Sequence, residues 1–280
     1  MDCFNGHKAV FTFKIDFDFC HPKQALTVLE VTERHNIKMS WFLNMKTAKN
    51  YPDIIKRLNE TQDVQSHGYY HKIYQTEEGY LNDMKMADDI LRKNGIKVKG
   101  FSAPYGTWNE EMGKALNKMK YAYSSEFFVG NKVFPFFPTI ENKKSNVLEV
   151  PVFGVAPCDL LRFGYPIQNI KSYFKQIINI FYENQIPIFL YGHVTNKLGK
   201  YPEILDYIFK EIEKKDDVWI TNISDYANFW IKNRIKHVSN KLIAINVNVR
   251  KYNSPIAFLF DLRNLILGVG RRVKGKESSM

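Results

Sequence analysis

Apolar and β-branched residues fall in short runs, separated by longer stretches in which they recur every three or four positions. The two periods take turns along most of the chain. Residues 9–17 form a strand-length run rich in apolar, β-branched and aromatic residues, and 38–43 form another. Between them, 22–35 carries helical spacing with Pro22 in its first turn, where a missing N–H leaves no hydrogen bond unmade. Residues 46–59 read as a second helix, 63–65 as a short strand, and 79–94 as a helix that Gly95 ends. Strand 98–101 and helix 109–118 follow. The later half adds strands at 147–153 and 187–191 and helices at 167–184, 201–214 and 223–232. This alternation predicts an α/β fold built on a mainly parallel sheet or barrel.

After about residue 232 the pattern changes. Residues 242–249 alternate like an exposed strand, Asn253-Ser254-Pro255 reads as a turn, and 256–267 is an apolar helix-length stretch followed by the basic run from Arg271 to Lys276. The expected organisation is an α/β domain over 1–234 and a short C-terminal appendage over 235–280.

Composition narrows the class. With 45% hydrophobic and 15% aromatic residues the chain can fill a core, which excludes a disordered protein. The first ten residues hold no apolar run of signal-peptide length, and no stretch reaches the span of a membrane helix, so the expected location is the cytoplasm. Cys3, Cys20 and Cys158 are odd in number and widely scattered, which predicts reduced thiols. The net charge of +11 comes mostly from dispersed lysines without a nucleic-acid-binding signature, so no nucleic-acid partner is expected. The basic tail beside the apolar stretch at 256–267 leaves peripheral contact with a membrane or a lipid-linked substrate as a candidate role.

Chemistry gathers where strands end. The first strand closes on Asp16-Phe17-Asp18, and on a continuing strand residues two apart share a face, so two carboxylates converge. Such a pair is costly unless a cation or proton lies between. Ser66-His67-Gly68-Tyr69-Tyr70-His71 follows another strand, and histidines four apart share one face of a helical turn, the spacing of two-histidine metal sites. One Asp of that pair with His67 and His71 therefore makes an expected metal site with open positions for water and substrate. Zinc suits it best, with iron, cobalt or nickel compatible with the same donors. Ser102-Ala103-Pro104-Tyr105-Gly106 forms a tight turn after a third strand, able to aim a backbone N–H at an oxyanion, and His193 ends a fourth. His7, His35 and His237 have no such setting and are assigned to the surface; His21 begins a helix.

Taken in this order, the segments resemble the polysaccharide deacetylase family, the NodB-homology carbohydrate esterases, from about residue 10 to residue 230. The resemblance implies a distorted barrel of about seven βα units. It also implies a metal on Asp18, His67 and His71, with Asp16 as base and His193 as acid. Phe101 to Tyr105 is similar to the motif that normally carries arginine where this chain has Ser102, an arginine that orients the catalytic Asp. Arg162 is the expected replacement. The family's acidic fourth motif is not clearly present, and Asp159 lies where such a residue could sit.

The function expected is hydrolysis of an N-acyl group, acetyl first, from a sugar in intracellular glycan or cell-envelope polysaccharide metabolism. Water activated by a divalent metal would lose its proton to Asp16, the Tyr105 N–H would help hold the oxyanion, and His193 would protonate the leaving amine. The alternatives are a deformylase or other deacylase of a nucleotide- or lipid-linked sugar, and a sugar-binding barrel without catalysis.

Overall fold

The computed structural model of the chain describes residues 3–126, 134–233 and 235. In order these form β1 (Ala9–Asp16), α1 (Pro22–Arg34), β2 (Ser40–Leu43), α2 (Met45–Ala48), α3 (Pro52–Thr61), β3 (Asp63–Ser66), α4 (Glu77–Lys93) and β4 (Gly100–Phe101). Then come α5 (Glu110–Met119), β5 (Tyr123–Ser124), the antiparallel pair β6 (Thr139–Ile140) and β7 (Lys143–Lys144), β8 (Leu148–Glu149), α6 (Pro157–Arg162) and α7 (Ile167–Glu183). β9 (Ile188–His193), α8 (Pro202–Glu213), β10 (Val218–Ile220) and α9 (Ile223–Lys232) complete the described part.

The main sheet runs β10-β1-β2-β3-β4-β5-β8, with β9 also on β1, and the pairs along it are parallel. β2 and β9 both pair with Lys14–Asp16, so they take opposite edges of β1. Beyond β8 the chain stays extended until the Phe153 N–H donates to the Phe189 carbonyl at 2.7 Å, which brings the far edge back to β9. The twisted parallel sheet thus curls into the expected distorted barrel.

All eight residues of β1 are buried, as a strand covered on both faces requires. Ala9, Phe11, Phe13 and Ile15 pack outward against helical residues such as Leu29, Ile177 and Phe209. Val10 lies instead with Phe42, Tyr123, Phe189 and Tyr191, and on its parity stand Thr12, Lys14 and Asp16, all buried. One face of this strand holds the fold and the other is polar toward its C-terminal end.

Several boundaries move. The helix expected over 46–59 is broken into α2 and α3, because Pro52 has no N–H to continue a helix and starts a new one at its first position. The strands expected over 98–101 and 147–153 keep ladders only at Gly100–Phe101 and Leu148–Glu149. Five elements were not anticipated: β5, β6, β7 and β10 are two or three residues long, too short to show a period, and α6 is a six-residue turn of helix begun by Pro157. His35 is not a surface residue in its side chain, which is 6% exposed between Asp206 and Glu213. The three cysteines are free and buried, as expected. The appendage beyond Ile235, with its strand, apolar stretch and basic tail, lies outside the described residues.

Candidate active site and metal centre

β1 ends at Asp16, and Asp18 stands in the following turn with φ 43. The two carboxylates are therefore not neighbours on one strand face as expected; a turn in the left-handed region, uncommon for an aspartate, carries Asp18 to its place. There Asp18 Oδ1 lies 3.3 Å from His67 Nε2 and 3.2 Å from His71 Nε2.

The histidines do not share a helical turn either. Gly68 and His71 both have positive φ, 71 and 56, so residues 67–71 form an irregular loop. Asp83 on α4 pins it: one carboxylate oxygen accepts the Tyr69 N–H at 2.8 Å, and the other accepts the Tyr70 N–H at 2.8 Å and the Tyr74 hydroxyl at 2.9 Å. From the other side the Asn44 amide donates to the Tyr69 carbonyl at 2.8 Å. The result is two imidazoles with ring centroids 4.9 Å apart. His67 Nδ1 lies 2.7 Å from the Ser102 carbonyl, an acceptor only, so Nδ1 carries the proton and Nε2 keeps its lone pair toward Asp18.

One ligand atom from each of Asp18, His67 and His71 lies within 4.8 Å of the others. Asp18 Oδ1 is buried and has no hydrogen-bond partner. Burial alone would raise the Asp18 carboxyl, but the His67 and His71 imidazoles beside it, with His193, outweigh it and hold it well below the usual carboxylate range. Burial would lower His67, and the charges of Asp16 and Asp18 raise it instead. A concentrated negative field with an unsatisfied oxygen, faced by two imidazole nitrogens, fits a divalent cation.

Asp16 stays outside that cluster, 4% exposed. Its Oδ1 receives the Ser102 hydroxyl at 3.4 Å and lies 3.6 Å from Lys14 Nζ; its Oδ2 lies 4.0 Å from His193 Nε2. His193 Nε2 is also 3.6 Å from Asp18 Oδ2. Tyr105, at φ 59 in the tight turn, sets a 61% exposed ring 4.8 Å from His71. All six residues singled out in the sequence thus meet at one rim of the barrel.

Two second-tier expectations fail. Arg162 is exposed at the end of α6, and Lys14 is the cation beside Asp16. Asp159 turns away from the site, accepting from the Ala156 N–H at 2.9 Å and the Tyr191 hydroxyl at 3.2 Å, while its neighbour Cys158 brings Sγ to 3.0 Å from His193 Nδ1. Below the rim, the fully buried Glu126 accepts the Ala103 N–H at 3.0 Å, and Glu149 accepts the Ser124 hydroxyl at 2.7 Å and the Glu126 N–H at 2.9 Å. Burial and the charge of Glu149 push the Glu126 carboxyl well above its ordinary range, so it holds its proton. Lys14, Cys158 and Glu126 were missed in the sequence; strand parity with Asp16 was the one signal available for Lys14.

Residues 6–124 match the family model described as polysaccharide deacetylase. A peptidoglycan-N-acetylglucosamine deacetylase of Bacillus cereus is 31% identical over 108 residues, which is 36% of this chain and 36% of that relative, so the match spans little more than a third of its length. Among solved structures, a Mycobacterium smegmatis protein classed as a polysaccharide deacetylase superposes with a TM-score of 0.72 at 16% identity, covering 86% of this chain and 96% of the other. The Puue allantoinase does so with a TM-score of 0.69 at 15% identity, covering 82% and 93%. At such identity these two speak for the fold. The family match over residues 6–124 and the barrel agree in likening this part of the chain to a polysaccharide deacetylase domain.

Proposed function

We propose that the chain is a metal-dependent hydrolase that removes an N-acyl group, acetyl first, from a sugar. The observation that carries this reading is the meeting of Asp18, His67 and His71 at ligand spacing, with Asp16 and His193 beside them but outside the set. A divalent cation on those three residues, zinc by preference for this donor set, would acidify water and polarise the acyl carbonyl. Asp16 takes the proton of the attacking water on Oδ2, the carboxylate oxygen that Lys14 and Ser102 leave free. His193 gives a proton to the nitrogen as the C–N bond breaks; its side chain is 27% exposed, where an amine can depart, while that of Asp16 is 6% exposed. The Tyr105 N–H supports the oxyanion from the turn. Water adds to the acyl carbon, and a carboxylic acid and a free amine leave.

The name of the Bacillus cereus relative suggests N-acetylglucosamine as the sugar, and that substrate is part of the proposal. A cytoplasmic setting and contact of the basic tail with lipid belong to it as well and rest on composition; among the described residues, no helix is long and apolar enough to cross a membrane. Metal analysis of the purified protein, coupled to acetate and formate release from a panel of N-acyl sugars, tests the reading. One divalent ion per chain and acetate release are expected. Protein that takes up metal but frees neither acid from any member would leave a sugar-binding barrel instead.

A further inference from the structure

Lys14 is 1% exposed, deep inside a barrel, with aromatic rings of Phe42 and Tyr191 at 5.3 Å and 5.9 Å from its Nζ. An ammonium out of water must be met by charge and by acceptors. Its Nζ donates to the Ser102 hydroxyl at 2.7 Å and to the Ser125 carbonyl at 2.8 Å, and lies 3.6 Å from Asp16 Oδ1. The Ser102 hydroxyl, having accepted from Lys14, passes its own proton toward the same Asp16 oxygen at 3.4 Å.

These contacts have a direction. Both Lys14 and Ser102 engage Oδ1, so Oδ2 is the oxygen turned to His193. Lys14 and Asp16 stand two apart on β1 and share its inner face, which leaves the lysine stem little freedom to follow any other partner. Ser125, on the chain just past β5, braces the ammonium from across the barrel.

We infer that Lys14 is the positioning residue for Asp16: its ammonium, held by Ser102 and Ser125, fixes the carboxylate so that Oδ2 alone faces the reacting water. The inference rests on the hydrolase reading above and assigns to Lys14 with Ser102 the work that the family's arginine does from the position of Ser102. A lysine supplies a point charge without the planar fork of a guanidinium, so it needs the hydroxyl as a second donor to hold one oxygen. Ser102 is small, and its hydroxyl sits where Lys14 Nζ can reach it.

The competing role for Lys14 is structural, a counter-charge to the buried Glu126–Glu149 pair, of which Glu149 carries the charge. Lys14→Met separates the two. With positioning lost, kcat falls about 100-fold, because a carboxylate displaced by an ångström is a poor base. KM stays within about twofold and the metal content stays at that of the wild type, since Lys14 touches neither substrate nor metal ligands. A second variant, Lys14→Met combined with Ser102→Arg, returns a cation to the same carboxylate and regains at least about tenfold in kcat. A structural role predicts a lower melting temperature with kcat per folded, metal-loaded molecule unchanged, and that result would overturn the proposal; so would loss of metal in Lys14→Met. Crystal structures of the wild type and Lys14→Met decide the point without turnover: a carboxylate swung off Ser102 supports positioning, and one that has not moved rejects it. If the wild type cleaves no N-acyl sugar, the hydrolase reading fails while this structural comparison still answers for Lys14.

Discussion

Asp16 and Asp18 are two residues apart, yet one is bound by a lysine and a serine and the other by two imidazoles. Their removal should therefore be felt differently. Asp16→Asn keeps the shape of the side chain and spares the ligands, so metal analysis should find the ion still bound while turnover falls about 100- to 10,000-fold, the range of a lost general base. His71→Ala removes a ligand and should lose metal and turnover together; equal metal loss in the two variants would show the roles wrongly assigned. Glu126 gives a test by pH. Its carboxyl holds a proton in the fold that an unfolded glutamate releases near about pH 4.3, so the wild type loses stability as pH rises above that value. Glu126→Gln can still accept from the Ala103 N–H and has no proton to lose. Its melting temperature should gain on the wild type as pH rises, by about 2–4 °C for each kcal/mol; a difference that is flat or shrinks with pH would mean Glu126 is ionised.

At the scale of elements, what was legible is the strand ends and what was not is the backbone between them. Asp16 and His193 close strands and His67 follows one, and a parallel sheet sends all such ends to one rim. Their partners were hidden because Ser102 and Ser125 lie 88 and 111 residues from Lys14, a distance no local period reports. The helical turn expected for His67 and His71 was wrong because spacing alone does not see Gly68, whose positive φ breaks the helix, or Asp83, which takes the loop's N–H groups from α4. That loop is the most sensitive element of the site. A Cβ on Gly68 would meet an Asp83 oxygen at 2.3 Å, so Gly68→Ala should displace the loop. Asp83→Ala leaves the Tyr69 and Tyr70 N–H groups without their acceptor, at about 1–3 kcal/mol for a buried donor, and should weaken metal binding about 10- to 100-fold. Calorimetric titration with zinc checks both variants; unchanged affinity in Asp83→Ala would show that the loop holds itself.

The molecule as a whole divides its charge unevenly. After Ile235 the chain carries nine Lys and Arg against two Asp and Glu, so seven of the eleven net positive charges fall in its last 45 residues. The barrel that carries the candidate site is close to balanced by comparison. Ile235 itself is 2% exposed, packed in the second core cluster with its N–H donated to the Trp230 carbonyl at 3.2 Å, which makes it the last described residue that the barrel holds. A chain ending at Lys236 therefore keeps every residue of the site and every described contact, and it should match the full chain in metal content and turnover on soluble N-acyl sugars. What it should lose is attraction to anionic surfaces. Each Lys or Arg near such a membrane contributes about 1 kcal/mol, and the apolar residues of 256–267 stand next to the basic run. Co-sedimentation with phosphatidylserine vesicles should retain the full chain at low salt, release it as salt rises, and leave the shortened chain in the supernatant. Equal sedimentation of both chains, or of neither, would return the tail to the role of a solvated extension and leave substrate choice to the rim alone.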